Sequence, residues 1–274
     1  MFTMKLHVSP ISPPCIAVQY FLEVLKREKG IEVEQVFVDL ARGDHKKPPH
    51  SDMNPDGTVP FLETAPGEGF SGHVPILQYL AMTYASEFYG NGDPKQQAMI
   101  NSRMDVANDM HNRGTIPGFS EIFWPKLGGL FGKTEPIPEQ VNKAYKTVHS
   151  KLAILEQRLA TSDHIAGGDL ASIADYSLIG LLTTVESLGV DFTAYPKLDA
   201  YYQRHIASAD FVACGGTQAQ RLAGINPALA PEPESEVRTR LGIATGDAAA
   251  TSPRAIEAAL KEKDAAVPSE EPSV

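Results

Sequence analysis

Apolar and polar residues alternate over Met4–Val8, and the run stops at Ser9 and Pro10, which predicts a short strand. From Pro14 to Lys29 the period lengthens. Val18, Phe21, Leu22 and Leu25 recur at helical spacing, and Gly30 stands where such a helix stops. Ile31, Val33, Val36 and Val38 make 31–40 the clearest strand in the chain. The polar, proline-bearing stretch 41–57 reads as a loop with some helix. A third strand is predicted over 58–64, a hairpin turn at Pro66–Gly69 into a brief fourth, and a helix over 74–88. A helix between two strands implies a parallel pair, and a tight turn an antiparallel one. Residues 1–88 are therefore expected to form an α/β domain, one mixed four-stranded sheet covered by helices.

Beyond residue 93 the strand signals vanish. Residues 93–113 and 138–160 read as long amphipathic helices. In the second, Val141, Tyr145, Val148, Leu152, Leu155 and Leu159 mark the buried face of a bundle helix. Ser172 with Asp175 forms a capping-box variant ahead of a further apolar helix, and 195–206 supplies a short one. This gives an all-α bundle domain over 93–227. The remainder, 228–274, is rich in Ala, Pro, Glu and Ser and is expected to be extended and largely mobile. Within it, Ser252 and Pro253 start a local helix.

Composition narrows the partners. Lys and Arg number 24 against 34 Asp and Glu, a net charge of -10, which argues against a nucleic-acid binder. No apolar run is long enough to span a membrane, and the first ten residues lack the apolar core of a signal peptide. Two cysteines in 274 residues support neither a disulfide framework nor a metal site. A soluble, cytoplasmic protein with reduced thiols is expected.

The chemistry concentrates in "HVSPISPPCIAV", residues 7–18, where a strand runs into a helix. A helix start gathers unpaired backbone N–H groups and the positive end of a dipole, which stabilises a thiolate. Ser12 and Cys15 are spaced like a Cys-x-x-Cys redox motif whose first cysteine has become serine. Disulfide exchange within the motif is lost, while a hydroxyl remains to hydrogen-bond the sulfur of a ligand. Ser12 also reads as a simple helix cap, with Ser9 as a rival hydroxyl. Cys15 reads either as a buried small hydrophobe or as a thiol forming mixed disulfides. The "TVP" at 58–60 is a candidate cis-proline turn. Such a turn would leave the Val59 backbone free to pair with an extended, peptide-like ligand.

"SPPCIAV", "VDLARGDH", "NPDGTVPFL", "VPILQYL" and "SIADYSL" follow one another in order between residues 4 and about 215. In that order and spacing the chain resembles the glutathione transferase superfamily, most closely its serine-type, theta-like class. The resemblance implies a thioredoxin-like N-terminal domain, a C-terminal helical domain, glutathione as co-substrate and a homodimer. It makes Ser12 the hydroxyl that holds the glutathione thiolate. His45, with Lys46 or Lys47, would meet the glycyl carboxylate, and Thr58 and Val59, beside Pro60, would pair with the cysteinyl backbone. Asp105 would reach the partner subunit's glutathione.

One site departs from the family. Where a Glu-Ser pair usually precedes the third helix, this chain has Gly72 and His73. Ser71 or His73, with the backbone N–H groups of the helix start, would have to hold the γ-glutamyl end, and no acidic side chain replaces the missing one. The electrophile is expected between the domains, near Ile11, Met110, Phe119, Phe123 and Trp124. The implied activity is conjugation of glutathione to hydrophobic electrophiles in detoxification, with dehalogenase or ether-cleaving chemistry within reach. The alternatives are a non-catalytic binding or assembly module of the same fold, and a thiol transferase using Cys15.

Overall fold

The structure is a computed structural model that describes residues 3–126 and 134–244. Strand β1 (Lys5–Val8) leads into helix α1 (Pro13–Lys29), followed by β2 (Glu34–Phe37). A single 3-10 turn at Asp44–Lys46 and a short helix α2 (His50–Met53) fill the connection to β3 (Phe61–Ala65). Strand β4 (Glu68–Ser71) and helix α3 (His73–Tyr84) complete this part. The strands lie in the order β2-β1-β3-β4 in one sheet. β1 and β2 run parallel, with Lys5 opposite Glu34, and β1–β3 and β3–β4 antiparallel, with Leu6 opposite Leu62 and Phe61 opposite Ser71. The mixed sheet expected from the pattern is present.

The longest predicted strand turns out to be one of the shortest. Of 31–40 only Glu34–Phe37 pair, because β2 is the sheet edge with one neighbour, and Phe37 stays 63% exposed there. Helix α1 buries Cys15, Ile16, Val18, Phe21, Leu22 and Leu25 against the sheet and the helical domain. It ends where expected: Gly30 donates to the Lys26 carbonyl, and its left-handed conformation (φ 67°) turns the Ile31 N–H back to the Leu25 carbonyl.

The helical domain comprises α4 (Pro94–Met110), α5 (Ile116–Lys126), α6 (Pro138–Leu159), α7 (Ile173–Ser187), α8 (Pro196–Ile206), α9 (Ala209–Ala213) and α10 (Gln218–Ile225). All six apolar positions singled out in α6 are buried. The capping box forms at Ser172 and Asp175, and Asp175 also accepts from the Tyr201 hydroxyl at 3.0 Å. α7 is buried on nearly every face and packs against α1. A Cβ on Gly180 would lie 2.6 Å from that of Ala17, so only glycine permits this crossing.

Two expectations need correction. The helix read over 93–113 ends at Met110, and a π-helical turn, His111–Thr115, joins it to α5. Pro117 has no N–H to offer the carbonyl four residues back, and its ring crowds that carbonyl, so the helical turn ahead of it widens. The segment 228–274 is expected to be extended and largely mobile, and only 228–244 of it is described. Instead, α11 (Glu234–Arg240) is docked on the bundle, with Leu229 and Val237 buried. Glu234 lies 2.8 Å from His149 Nε2 and accepts from Arg238 Nε at 2.7 Å, and Arg238 also donates to Asn142 and stacks over Tyr145. A few apolar anchors and one buried ion pair outweigh a polar average composition. The helix predicted after Ser252 lies outside the described residues.

Candidate functional site

The β1–α1 junction is built by backbone bonds. Ser12 N–H donates to the Ser9 carbonyl at 3.1 Å, and the Ser12 carbonyl accepts from Cys15 and Ile16 at 2.9 and 3.0 Å. Ser12 occupies the N-cap of α1, yet its hydroxyl makes no capping bond: Pro13 and Pro14 have no N–H to give, and the Cys15 N–H goes to the Ser12 carbonyl. The hydroxyl's neighbour is the Cys15 thiol, a weak partner that a ligand sulfur can displace. Cys15 is fully buried, and burial pushes its thiol up to about 11, against a smaller pull from the Ser12 hydroxyl and the Ser9 backbone. At neutral pH it is a thiol packed in the core, which removes the basis for a Cys15-centred thiol transferase.

The second wall comes from the loop before β3. The Thr58 carbonyl accepts from Asn54 Nδ2 at 2.8 Å and lies 3.2 Å from His50 Nε2, fixing the loop from below. The Val59–Pro60 peptide is cis. The Pro60 carbonyl accepts from Gly72 N–H at 3.0 Å, which sets this turn beside the start of α3. His45 is buried, and its Nδ1 has no hydrogen-bond partner among the described residues. Burial, with Lys46 and His50 nearby, lowers its pKa. Lys46 is exposed, whereas Lys47 folds back on the Arg42 carbonyl and Asp44.

These pieces enclose one cavity of about 340 Å³ between the domains. Ser12, His45, Thr58 and Val59 line one side, and Ile11, Phe119 and Trp124 the other. Met110 and Phe123 do not line it. Both are buried in the bundle core, Phe123 stacked on Phe119 at 4.3 Å, because they lie on the inward faces of α4 and α5. Ile116, Ser120, His111, Thr184 and Gln218 line it although sequence reasoning missed them. Pro117 was the available signal for the turn carrying His111, and Thr184 and Gln218 gave none.

His73 is the largest departure. It is one of two residues, with Ser71, expected at the γ-glutamyl end, but its ring turns into the domain interface, where Nε2 and Ser177 Oγ share a hydrogen bond at 3.1 Å. Burial holds it neutral, its pKa lowered to about 4. Ser71, by contrast, points to the surface and donates to Asp56 Oδ2 at 3.2 Å. An acidic side chain therefore does stand at the start of α3, supplied by the loop before the cis-proline instead of by the helix. Asp105 is exposed on α4.

Helix α10 closes the back of the site. Gln218 Nε2 donates to the Ile11 carbonyl at 2.7 Å, and Arg221 Nη1 to the Pro10 carbonyl at 2.9 Å and Gln19 Oε1 at 2.8 Å. The loop bearing Ser12 is thus held from both domains. Among the described residues no His, Cys, Asp and Glu cluster has metal-ligand geometry, and no helix is long and apolar enough to cross a membrane.

A β-α-β-α-β-β-α sheet domain joined to a helical bundle, with a cavity at the junction, can be set beside known proteins. Residues 6–88 match the profile of the glutathione S-transferase N-terminal domain and 138–204 that of the C-terminal domain. A glutathione S-transferase of Hyoscyamus muticus is 34% identical over 176 residues, covering 63% of this chain and 77% of its own. Glutathione S-transferase APIC of Nicotiana tabacum is 30% identical over 204 residues, 72% and 90% of the two chains. Among solved structures, glutathione transferase E6 of Drosophila melanogaster superposes with a TM-score of 0.68 at 24% identity, over 85% of this chain and all of that one. A glutathione transferase homologue of Lodderomyces elongisporus, solved with two GSH per subunit, gives 0.64 at 21% identity over 78% and 98%. With both domain profiles matched in order and a relative aligned over nine-tenths of its length, the chain belongs to the glutathione S-transferase family.

Proposed function

We propose that this protein is a serine-type glutathione transferase in which Ser12 donates a hydrogen bond to the glutathione thiolate, and that it works as a cytoplasmic homodimer. The observation that carries the reading is the Ser12 hydroxyl at the start of α1, which makes no capping bond and lines a cavity opposite the cis Val59–Pro60 turn. Glutathione lies extended along that turn, its cysteinyl backbone paired with Val59. Its glycyl carboxylate meets His45, with Lys46 at the rim. Its γ-glutamyl end meets the backbone N–H groups at the start of α3, and its ammonium meets Asp56, aligned by Ser71. Asp105, exposed on α4, faces the partner subunit.

A free thiol near pKa 8.5 is only a few per cent thiolate at neutral pH. Lowering its pKa by about two units requires roughly 2.7 kcal/mol of differential stabilisation. A hydrogen bond to a charged group supplies about 1.5–3 kcal/mol, and a helix start about 0.3–1 more, so one hydroxyl and one helix end together reach the required range. The thiolate then attacks an electrophilic carbon of the second substrate held against Ile11, Phe119 and Trp124. The deciding experiment compares wild type with Ser12→Ala, by glutathione calorimetry and by conjugation of chlorodinitrobenzene. Turnover should fall about ten- to hundredfold while glutathione still binds. Glutathione binding with no turnover of any electrophile by the wild type would favour a non-catalytic module.

A further inference from the structure

The cavity has a polar floor that thiolate activation does not use. Thr184 on α7 is 2% exposed, and its Oγ1 is buried with no hydrogen-bond partner among the described residues. A helical threonine ordinarily returns its hydroxyl to a carbonyl of the preceding turn. Its neighbour Thr183 does so, donating to the Gly180 carbonyl at 2.6 Å, and Thr184 does not. Gln218 on α10 is also 2% exposed. Its Nε2 is committed to the Ile11 carbonyl, which leaves Oε1 buried and unpaired. Both residues line the cavity, and α7 and α10 pack on each other.

Buried polar groups are almost always paired, and one left over at the wall of a cavity points to a ligand group that completes it. The chemistry of that group can be read from the pair. Gln218 Oε1 can only accept, so the ligand must bring an O–H or N–H. Thr184 Oγ1 can give or take. A single hydroxyl answers both, donating to Gln218 and accepting from Thr184. The floor carries no charged side chain, since burial holds the adjoining His111 neutral, and the walls at Ile11, Ile116, Phe119 and Trp124 are apolar or aromatic.

We propose that the second substrate is a neutral, largely apolar electrophile carrying a hydroxyl, such as a phenol or alcohol, and that Thr184 and Gln218 select for that hydroxyl. The proposal rests on the transferase reading for its chemistry and narrows it from hydrophobic electrophiles in general. With an enal, the thiolate forms the S–C bond at the β-carbon. The C=C π pair moves onto the carbonyl, and the resulting enolate takes a proton from water.

Two measurements separate the proposal from the reading beneath it. Trp124 is the only tryptophan in the chain and lines the cavity, so its fluorescence reports binding without turnover. Para-cresol should bind at least about tenfold more tightly than para-xylene, against the ordinary hydrophobic preference. Thr184→Val, an isosteric change, and Gln218→Met should each abolish that preference. Equal affinity of the two probes in the wild type, or a preference surviving both substitutions, overturns the proposal. Conjugation of para-hydroxycinnamaldehyde against para-methylcinnamaldehyde, each normalised to its uncatalysed rate, should show the same preference and the same loss. Turnover of both without preference would sink the hydroxyl proposal and leave the transferase reading standing. Hydroxyl-selective binding without turnover would support the site and sink the transferase reading.

Discussion

Acid should unfold this protein early, through histidines that the fold keeps neutral. His73 is buried between α3 and α7, and desolvation lowers its pKa from 6.5 to about 4. His111, in the π-helical turn, is lowered to about 3 by burial and by the neighbouring His73. In each case the unfolded chain takes up a proton below pH 6.5 that the folded chain refuses. Stability is therefore fully present above that value and is lost as pH falls towards the folded pKa. Between pH 7 and pH 5 each group removes about 2 kcal/mol. His205, held at the Tyr20 hydroxyl and lowered to about 4, removes a similar amount. Together these are comparable with the whole stability of a typical domain. The clean perturbation is His73→Gln, which keeps an amide beside Ser177 and removes the titrating ring. Urea unfolding of wild type and variant at pH 7, 6 and 5 should show the wild type losing about 2 kcal/mol more than the variant across that interval. Parallel losses would mean that His73 is already protonated or already exposed in the native state, and the burial argument would fail.

The clamp on the serine loop and the docked C-terminal helix give further tests. Arg221→Met removes donors from the Pro10 carbonyl, the Gln19 side chain and the Gly216 carbonyl. It should cost about 2–4 kcal/mol and lower kcat by loosening Ser12, with KM for glutathione changed less. An unaltered kcat would show that α10 is scaffolding only. Arg238→Met leaves Glu234 buried with His149 alone. A loss of about 3 kcal/mol in thermal or urea unfolding is expected, whereas a neutral result would mean that α11 contributes little to the fold.

Local signals in the chain were enough for most of the architecture. Strand-to-helix period changes, the Gly30 stop and the Ser172–Asp175 capping box each act within a few residues and appear where the pattern put them, and the hairpin turn read over Pro66–Gly69 forms at Pro66–Gly67. The Ser12 junction and the cis-proline turn were legible for the same reason, since a helix start and an X-Pro bond are local features. What local pattern could not decide was orientation and partnership across the fold. His73 reads as a ligand contact until α7 brings Ser177 against it. Met110 and Phe123 read as pocket until helix rotation turns them into the core. The acidic group at the start of α3 arrives from Asp56, fifteen residues before Ser71. The cavity floor joins Thr184 and Gln218 to Ile11, 207 positions from Gln218 in sequence. The sequence by itself determined which elements form and that Ser12 stands where a strand gives way to a helix. Tertiary packing alone decided which side chains meet there, because contacts between distant segments depend on how whole helices and sheets pack, and no short window of sequence records that.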